Sequence, residues 1–438
     1  MHIAFVTAGG AGMFCGSCMQ DNALARALMQ LGCEVSLIPT YTPIRLDQED
    51  VSDQHVFLGG INLYLDNLIP FWRYLPRPLV SWLDHPRILK WASSRGVGND
   101  ASTLGPMTVA MLNGARGPMR REYQDLVDHL LDRLKPDVIV FSNALLSGIM
   151  PLLRERFSGP ILCLLQGDDL FLNQLPGKYR DRAIAAIGEN SRSFAAFITH
   201  TRFYADLMSQ FLNLDRDRFR QIPLSINARF TDPPDSSRGA ESSLPRIGYF
   251  ARIAPEKGLH NLILAARELY AEGISFELHA GGYLGEAHQD YFERIQKDAE
   301  FLGDRFRYVG SPDHEDAKFE FLRQLTVFSV PASYEEPKGL YILEAMAAGV
   351  PVVQPSRGSF PELIESTQGG LLYPADDPKA HAAMLKRLIQ PGEERDRIVS
   401  KAARNVRELH SSTQAARCLM DACEELCVRL STRESLAG

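Results

Sequence analysis

The chain alternates short apolar runs with stretches in which apolar residues recur at helical spacing. In the first half, the apolar runs cover residues 2–8, 34–41, 56–61, 136–142, 160–166 and 195–200. Helical patterns, such as those from Asp21 to Leu31 and from Tyr123 to Leu134, lie between most of these runs. Buried strands that alternate with helices are typical of a parallel sheet covered on both faces.

A polar segment divides this alternation into two parts. Residues 231–243 contain two prolines and no large apolar side chain, which is the composition of a linker. After it, apolar runs return at residues 246–251, 275–281, 305–310, 326–331, 350–354 and 370–373. The tail from Glu393 to Leu430 again has apolar residues at helical spacing. The pattern predicts an α/β fold with two doubly wound, Rossmann-like parallel-sheet domains facing a cleft.

Two glutamates eight residues apart, Glu336 and Glu344, bracket the start of a predicted helix. Gly339 marks the turn into this helix, and apolar strands are predicted on both sides. Amides at a helix N-terminus favour an anion, and eight residues of helix rise about 12 Å. One carboxylate can therefore hold a group on one side of a bound diphosphate, and the other a group on its far side. Taken alone, the same spacing also fits a surface helix with two solvated acids.

A second motif follows the strand predicted at 246–251. The loop from Arg252 to Gly258 contains two cations, Arg252 and Lys257, and Pro255 suits a first helical turn. Fixed guanidinium and ammonium groups offset the charge that builds on a departing diphosphate, which removes the need for a metal ion. Two plainer interpretations stay open: Lys257 is simply exposed, or Arg252 pairs with Glu256.

Together the two motifs resemble the retaining glycosyltransferases of family 4, which have the GT-B fold. The loop at 252–258 is similar to that family's donor-phosphate loop, and the spacing from Glu336 to Glu344 is similar to its E-x7-E signature. The resemblance is strongest over residues 246–375. One departure is Lys338, where the family usually has an aromatic residue, so the fit of the donor sugar is not implied.

The resemblance also implies roles for individual residues. Arg252 and Lys257 would hold the diphosphate, Glu336 would bond the donor sugar, and Glu344 would bond the ribose hydroxyls. The candidate catalytic residues are Arg252, Lys257 and Glu336. The candidate donor-binding residues are Glu344, Gly339, Leu340, Gly10 and Gly12.

The expected domain organisation follows from the same pattern and resemblance. An acceptor-side domain would cover residues 1–230, a linker residues 231–245, and a nucleotide-sugar-binding domain residues 246–411. A final helix at 412–438 would return to the first domain, as the resemblance implies.

A glycine-rich loop follows the first predicted strand. It lies between Ala8 and Asn22 and lacks the glycine spacing of a dinucleotide fingerprint. In family 4 this loop touches the acceptor and the donor phosphates, which implies that role for Gly10 and Gly12. Asp21 is expected to be the N-cap of the next helix.

The strand predicted at 160–166 leads into Gln166, Gly167, Asp168 and Asp169. Many members of family 4 place a His near here, close to the reacting centre, and this chain has Gln166. Asp168 is an alternative polar contact. His200, at the end of the next predicted strand, is expected to be an ordinary satisfied polar side chain.

All three tryptophans, Trp72, Trp82 and Trp91, fall in one segment rich in aromatic and basic residues. Such a composition suits stacking on sugars, contact with a membrane interface, or a helical insertion packed on the domain. A helical insertion packed on the domain is the favoured interpretation. Peripheral contact of residues 70–91 with the inner membrane face, together with a lipid-linked acceptor, is the alternative.

Composition narrows the class of protein. The net charge of −7 and the absence of a Lys/Arg run argue against a nucleic-acid partner. The N-terminal residues enter a strand directly rather than a signal peptide, and no apolar window is long enough to span a bilayer. We therefore expect a cytoplasmic protein. The seven scattered cysteines indicate free thiols, and the Cys15/Cys18 pair is expected to fill space in its loop.

The predicted function is that of a retaining, hexosyltransferase-type glycosyltransferase. It would move a sugar from a nucleoside-diphosphate sugar to a glycan, a lipid-linked or a small-molecule acceptor, without a metal or a cofactor. The alternatives are a sugar-nucleotide epimerase or phosphorylase, and an inactive sugar-nucleotide-binding protein, which Gln166 and Lys338 motivate. An NAD-dependent oxidoreductase is disfavoured because no dinucleotide fingerprint opens either domain.

Overall fold

The computed structural model describes residues 1–8, 16–40, 50–53, 57, 101–117, 119–226, 244–312 and 315–437. Gly10, Gly12, Cys15, the segment 70–91 and most of the predicted linker lie outside the described residues. So does the strand expected at 56–61, apart from Phe57. The chain forms two compact units, one of Met1–Ile222 with Ala415–Gly438 and one of Pro223–Gln414.

The first unit is built on a six-stranded parallel sheet with the order β2-β1-β3-β4-β5-β6, counted over the described residues. Its strands are β1 (His2–Thr7), β2 (Glu34–Pro39), β3 (Val138–Phe141), β4 (Ile161–Leu164), β5 (Ala196–Thr199) and β6 (Phe219–Gln221). Within the described residues, its helices are α1 (Gly16–Gln30), α2 (Ala101–Leu112), α3 (Arg120–Asp128), α4 (Met150–Arg154), α5 (Asp168–Gln174), α6 (Gly177–Asn190), α7 (Arg202–Phe211) and α15 (Ser412–Ala437). Every residue of β1, β3, β4 and β5 is buried, as expected for strands covered by helices on both faces.

The second unit repeats this architecture with the strand order β12-β11-β10-β7-β8-β9. Its strands are β7 (Arg246–Phe250), β8 (Glu277–Gly281), β9 (Phe306–Tyr308), β10 (Val327–Phe328), β11 (Val352–Pro355) and β12 (Gly370–Tyr373). Its helices are α8 (Leu259–Ala271), α9 (Gln289–Asp298), α10 (Glu315–Arg323), α11 (Leu340–Ala347), α12 (Phe360–Thr367), α13 (Pro378–Ile389) and α14 (Glu393–Leu409). The predicted α/β class with two doubly wound sheets is therefore confirmed.

Strand β10 lies at the centre of the second sheet although it has only two residues. Val327 pairs with Ile247 of β7, and Phe328 pairs with Val352 of β11. Because β7 and β10 are parallel neighbours, the loops that leave their carboxyl ends lie side by side. These are the loops that carry the two sequence motifs.

The helical tail predicted from Glu393 to Leu430 is confirmed, and it consists of two helices. α14 ends at Leu409, and α15 begins at Ser412. Residues Ala415, Ala416, Leu419 and Cys423 of α15 belong to the same buried cluster as Leu24 and Leu28 of α1. The final helix is thus part of the first unit.

The sequence predicted free thiols and no segment long enough to span a bilayer. The six cysteines within the described residues are free thiols. Within that same part of the chain, no helix has both the length and the hydrophobicity needed to cross a bilayer.

Candidate functional site

The loop after β7 and the loop after β10 bring Lys257 and Glu336 together. The ammonium Nζ of Lys257 lies 2.7 Å from Oε2 of Glu336. The Lys257 side chain is 16% exposed and that of Glu336 is 5% exposed, so the pair is largely removed from water. The plain alternative of a solvent-exposed Lys257 is wrong, because adjacent parallel strands place its loop against that of Glu336.

The Glu336 carboxylate accepts five hydrogen bonds. Oε2 accepts from Lys257, from the Tyr334 hydroxyl at 2.6 Å and from the Tyr341 hydroxyl at 2.8 Å. Oε1 accepts from the backbone N–H groups of Lys338 and Gly339, both at 3.3 Å. A carboxylate offers about four lone-pair directions, so every direction is used. A sugar hydroxyl that bonds Glu336 must displace or share one of these donors.

These contacts keep Glu336 ionised. Burial opposes the charged form, but the Lys257 ammonium and the donated hydrogen bonds outweigh it and lower the pKa of Glu336 to about 2. Burial and the Glu336 charge raise the pKa values of Tyr334 and Tyr341 well above the usual range. Both phenols therefore stay protonated and act as hydrogen-bond donors to the carboxylate.

The backbone around Lys257 is fixed by Gly258. Pro255–Lys257 form a short 3-10 turn, as the position of Pro255 predicted, and Gly258 follows with φ at 74°. A Cβ atom at Gly258 would lie 1.8 Å from the carbonyl oxygen of Pro331, which follows β10. Only glycine allows this left-handed conformation and this close approach together. The turn therefore allows the Lys257 loop to pack closely against the loop that leads to Glu336.

Arg252 lies in the same loop but contacts a different partner. Its guanidinium forms an ion pair with Glu256, and its side chain is 48% exposed. The plain alternative of an Arg252–Glu256 pair is thus what the structure shows. The charge of Arg252 nevertheless reaches the site, because it opposes the rise in the pKa of Tyr334 that burial and Glu336 cause. The role of Arg252 at a diphosphate stays a prediction.

Gly339 and Leu340 form the N-terminus of α11. Gly339 is the residue before the helix, with φ at 72°, and Leu340 is its first residue. The N–H of Gly339 points at Glu336, and Leu340 packs against the core of the second unit. The helix N-terminus thus already binds an anionic group, namely the carboxylate of its own chain.

Glu344, the second signature glutamate, has an ammonium partner of its own. It lies inside α11 and forms an ion pair with Lys318 of α10. The side chains of Lys318 and Glu344 are 12% and 11% exposed. Each signature glutamate is therefore paired with a lysine that is distant in sequence.

In the first unit, the structure corrects the expectation for Asp21. Asp21 is not the N-cap of α1, because that helix already includes Gly16, five residues earlier. Its side chain is completely buried and accepts hydrogen bonds from the Thr7 hydroxyl and the Gln166 amide, both at 2.8 Å. It joins the carboxyl ends of β1 and β4. The start of α1 could not be predicted from the sequence, because the residues before Asp21 are rich in glycine.

The remaining first-unit candidates lie in the same buried polar region. Asp168 accepts hydrogen bonds from the backbone N–H groups of Ala144 at 2.7 Å and Gln166 at 3.1 Å. Burial raises the pKa of Asp168 to about 6. His200 is buried, with Nδ1 3.3 Å from the carbonyl oxygen of Ile222. These contacts hold loops in place, and roles for Gln166 and Asp168 toward a substrate stay predictions.

Sequence reasoning missed Tyr334, Tyr341 and Lys318. The two tyrosines flank Glu336 at −2, in the acidic loop, and at +5, in the first turn of α11, and their closeness to Glu336 in sequence was a usable signal. Lys318 gave no such signal, since it lies on another helix 26 residues before Glu344.

Part of the chain is similar in sequence to known proteins. Residues 235–405 match the family model described as glycosyl transferases group 1. The chain is 30% identical over 218 residues to a D-inositol 3-phosphate glycosyltransferase of Acidothermus cellulolyticus, which is 47% of this chain and 48% of the relative. It is 29% identical over 270 residues to an alpha-D-kanosaminyltransferase of Streptomyces kanamyceticus, covering 59% and 68%. The match thus spans about half the length of the first of these relatives.

Solved structures resemble the whole chain. A sucrose-phosphate synthase from Thermosynechococcus elongatus superposes with a TM-score of 0.70 at 18% identity, covering 98% of this chain and 100% of the other. Anabaena Alr3699/HepE in complex with UDP and glucose gives a TM-score of 0.66 at 16% identity, covering 97% and 100%. The chain has the GT-B fold. The region that matches the family model, residues 235–405, contains Glu336, Glu344, Arg252 and Lys257.

Proposed function

We propose that this protein is a retaining glycosyltransferase of family 4 that transfers a hexosyl group from a nucleoside-diphosphate sugar. The observation that carries the proposal is the buried contact of Lys257 with Glu336 at the N-terminus of α11. The contact lies beyond the carboxyl ends of β7 and β10, where doubly wound sheets bind ligands. The family match to this part of the chain supports it, as do the glycosyltransferase names of the relatives.

In the proposed reaction, the bond between the anomeric carbon and the diphosphate oxygen breaks, and the electron pair stays on the diphosphate. Lys257 and Arg252 stabilise this charge, together with the positive end of α11. The acceptor hydroxyl oxygen bonds the anomeric carbon on the same face and gives its proton to the departing diphosphate. We propose that these cations make a divalent metal unnecessary.

Glu336 is a positioning group in this proposal rather than a nucleophile. Its five hydrogen bonds occupy the lone pairs that an attack on carbon requires. A covalent glycosyl-enzyme on Glu336 is therefore not part of the mechanism. We infer that Glu336 accepts a donor-sugar hydroxyl in place of one of its present donors.

A donor screen tests the proposal. UDP-, GDP- and ADP-sugars are incubated with the protein, with and without EDTA, and released nucleotide is measured. We expect release from one donor, unchanged by EDTA, and its loss in Lys257→Gln but not in Lys386→Gln. Lys386 is the matched control because its ion pair with Glu272 is exposed. Equal turnover by Lys257→Gln and the wild type would overturn the assignment. An isomerised sugar formed without acceptor would favour an epimerase.

The acceptor and the location of the enzyme are further proposals. The composition of residues 70–91 supports a lipid-linked or glycan acceptor and a place at the cytoplasmic membrane face. The screen is therefore repeated with anionic lipid vesicles that contain membrane lipid extract. Vesicle-dependent release of nucleotide, together with sedimentation of the protein with the vesicles, is the expected result. Release that depends on a soluble sugar alone would exclude the lipid-linked acceptor.

A further inference from the structure

The ion pair between Lys318 and Glu344 is the feature that the proposed mechanism leaves unexplained. Both side chains are nearly buried, and burying two charges costs free energy that the attraction between them has to repay. Replacing such a pair by apolar groups is often neutral or stabilising, so stability alone does not account for it. A function at the donor site is a better explanation.

The surroundings of Lys318 hold its ammonium in one place. Helix α10 packs against α11, which carries Glu344. The Lys318 ammonium also lies 5.6 Å from the centre of the Phe250 ring, within the range of a cation–π contact. Phe250 ends β7 and packs against Phe321, one turn further along α10, with ring centres 5.6 Å apart. The ammonium is thus fixed between the end of β7 and the carboxylate.

A carboxylate can hold an ammonium and two hydroxyls at once. It has about four lone-pair directions, and the Lys318 ammonium donates to Oε1 of Glu344. The Lys318 ammonium is a charged donor, and hydrogen bonds between charged groups are stronger than those between neutral ones. The contact also limits the rotation of the carboxylate plane, so that its acceptor directions are set before a ligand arrives.

We propose that Lys318 is a positioning residue that sets the preference of this site for ribonucleotides over deoxyribonucleotides. The inference rests on the proposed function and on the role that the family 4 resemblance implies for Glu344, which is to bond the ribose hydroxyls of the donor. Lys318 does not touch the ribose in this proposal. It fixes the charge and the direction of the group that does.

Nucleotide binding measured by calorimetry tests the inference. The probes are the diphosphate of the preferred base and its 2′-deoxy and 3′-deoxy forms. The wild type is expected to prefer the ribonucleotide by about tenfold or more, the size of one charged hydrogen bond. In Lys318→Met this preference is expected to fall to within about threefold, while affinity for the deoxynucleotides changes little. Lys318→Arg is expected to keep most of the preference.

Two controls separate this role from a structural one. Lys386→Met breaks an exposed ion pair with Glu272, which also lies in the second unit. This variant is expected to leave the preference for the ribonucleotide unchanged. Where Lys318→Met does not fold, Lys318→Gln replaces it, because its amide still donates one hydrogen bond without charge. An intermediate preference in Lys318→Gln supports the inference.

The contrary outcomes are distinguishable. A wild type that binds no nucleotide would overturn the proposed function and this inference with it. A wild type with a clear ribose preference that Lys318→Met retains would overturn the inference alone and leave the proposed function standing.

Discussion

Lys257 and Glu336, 79 residues apart in sequence, meet with 2.7 Å between the ammonium nitrogen and the carboxylate oxygen. The contact places the cation proposed for the diphosphate beside the carboxylate proposed for the donor sugar. It also means that Lys257 has two tasks, since it compensates a buried carboxylate and would share its charge with an incoming donor.

Removing the ammonium of Lys257 is therefore expected to cost stability as well as activity. Lys257→Met leaves the Glu336 carboxylate buried without its charge partner, and we expect a loss of about 3 kcal/mol in the free energy of unfolding. Lys386→Met, at an exposed ion pair, is expected to lose less than about 1 kcal/mol. Urea unfolding of both variants measures the difference. Equal losses would show that the Lys257 pair is no stronger than a surface pair.

Glu336 gives stability a defined dependence on acid. Its pKa is lowered from 4.5 to about 2 in the folded protein, so the folded state binds this proton less readily than the unfolded chain. The stabilisation is complete above about pH 4.5 and is lost as the pH falls toward 2, with a total of about 3 kcal/mol. Unfolding free energies of the wild type and Glu336→Gln between pH 5 and 2 test this. Parallel curves would contradict the prediction.

Asp168 is expected to act in the opposite direction. Burial raises its pKa from 3.8 to about 6, so the folded state favours the protonated form. Its contribution to stability is present at low pH and is lost as the pH rises from about 4 to 6. Asp168→Asn is expected to remove this slope, although its amide cannot accept from both backbone N–H groups. An Asp168 carboxyl resonance that titrates near pH 4 in the folded wild type would contradict this prediction.

Gly258 offers a test of the loop geometry with an internal control. Gly258 and Gly273 have φ values of 74° and 76°. A Cβ at Gly258 would collide with Pro331, whereas one at Gly273 meets nothing within 4 Å. Gly273→Ala is expected to cost about 1 kcal/mol for backbone strain alone. Gly258→Ala is expected to cost at least twice as much and to reduce nucleotide release, measured in the donor screen.

The final helix gives a prediction about the first unit. Leu419 of α15 is buried beside Leu24 and Leu28, so Leu419→Ala is expected to cost about 2–5 kcal/mol. Hydrogen exchange should increase in β1 and α1 while β7 and β10 stay protected. Val428→Ala on the same helix is the control, because Val428 is 63% exposed. Increased exchange confined to β7 and β10 would contradict the assignment of α15 to the first unit.

The sequence predicted most of the fold because buried parallel strands are uninterrupted apolar runs. Eleven of the twelve strands within the described residues overlap such predicted runs, and only β11 extends beyond its run, by the single residue Pro355. The exception is β6, whose three residues, Phe219 to Gln221, lie at an edge and include an arginine and a glutamine. An edge strand needs no apolar run, and the pattern therefore did not reveal it.

The site was predictable only where its chemistry is local. The Glu336–Glu344 spacing and the loop cations are visible as short motifs. The partners of these glutamates are not, because Lys257 and Lys318 reach them through sheet order and helix packing. Asp21 shows the same limit, since its burial depends on Thr7 and Gln166 meeting at neighbouring strands.

The division of the first unit between residues 1–222 and 415–438 has a consequence for biosynthesis. A ribosome completes the entire second unit before α15 emerges, so the hydrophobic surface around Leu24 and Leu28 stays uncovered during that interval. Domains fold as they are synthesised at about 5–20 residues per second. The nascent chain thus passes through a stage in which the second unit is complete and the first unit still exposes this hydrophobic surface. A chaperone would bind the chain at that stage.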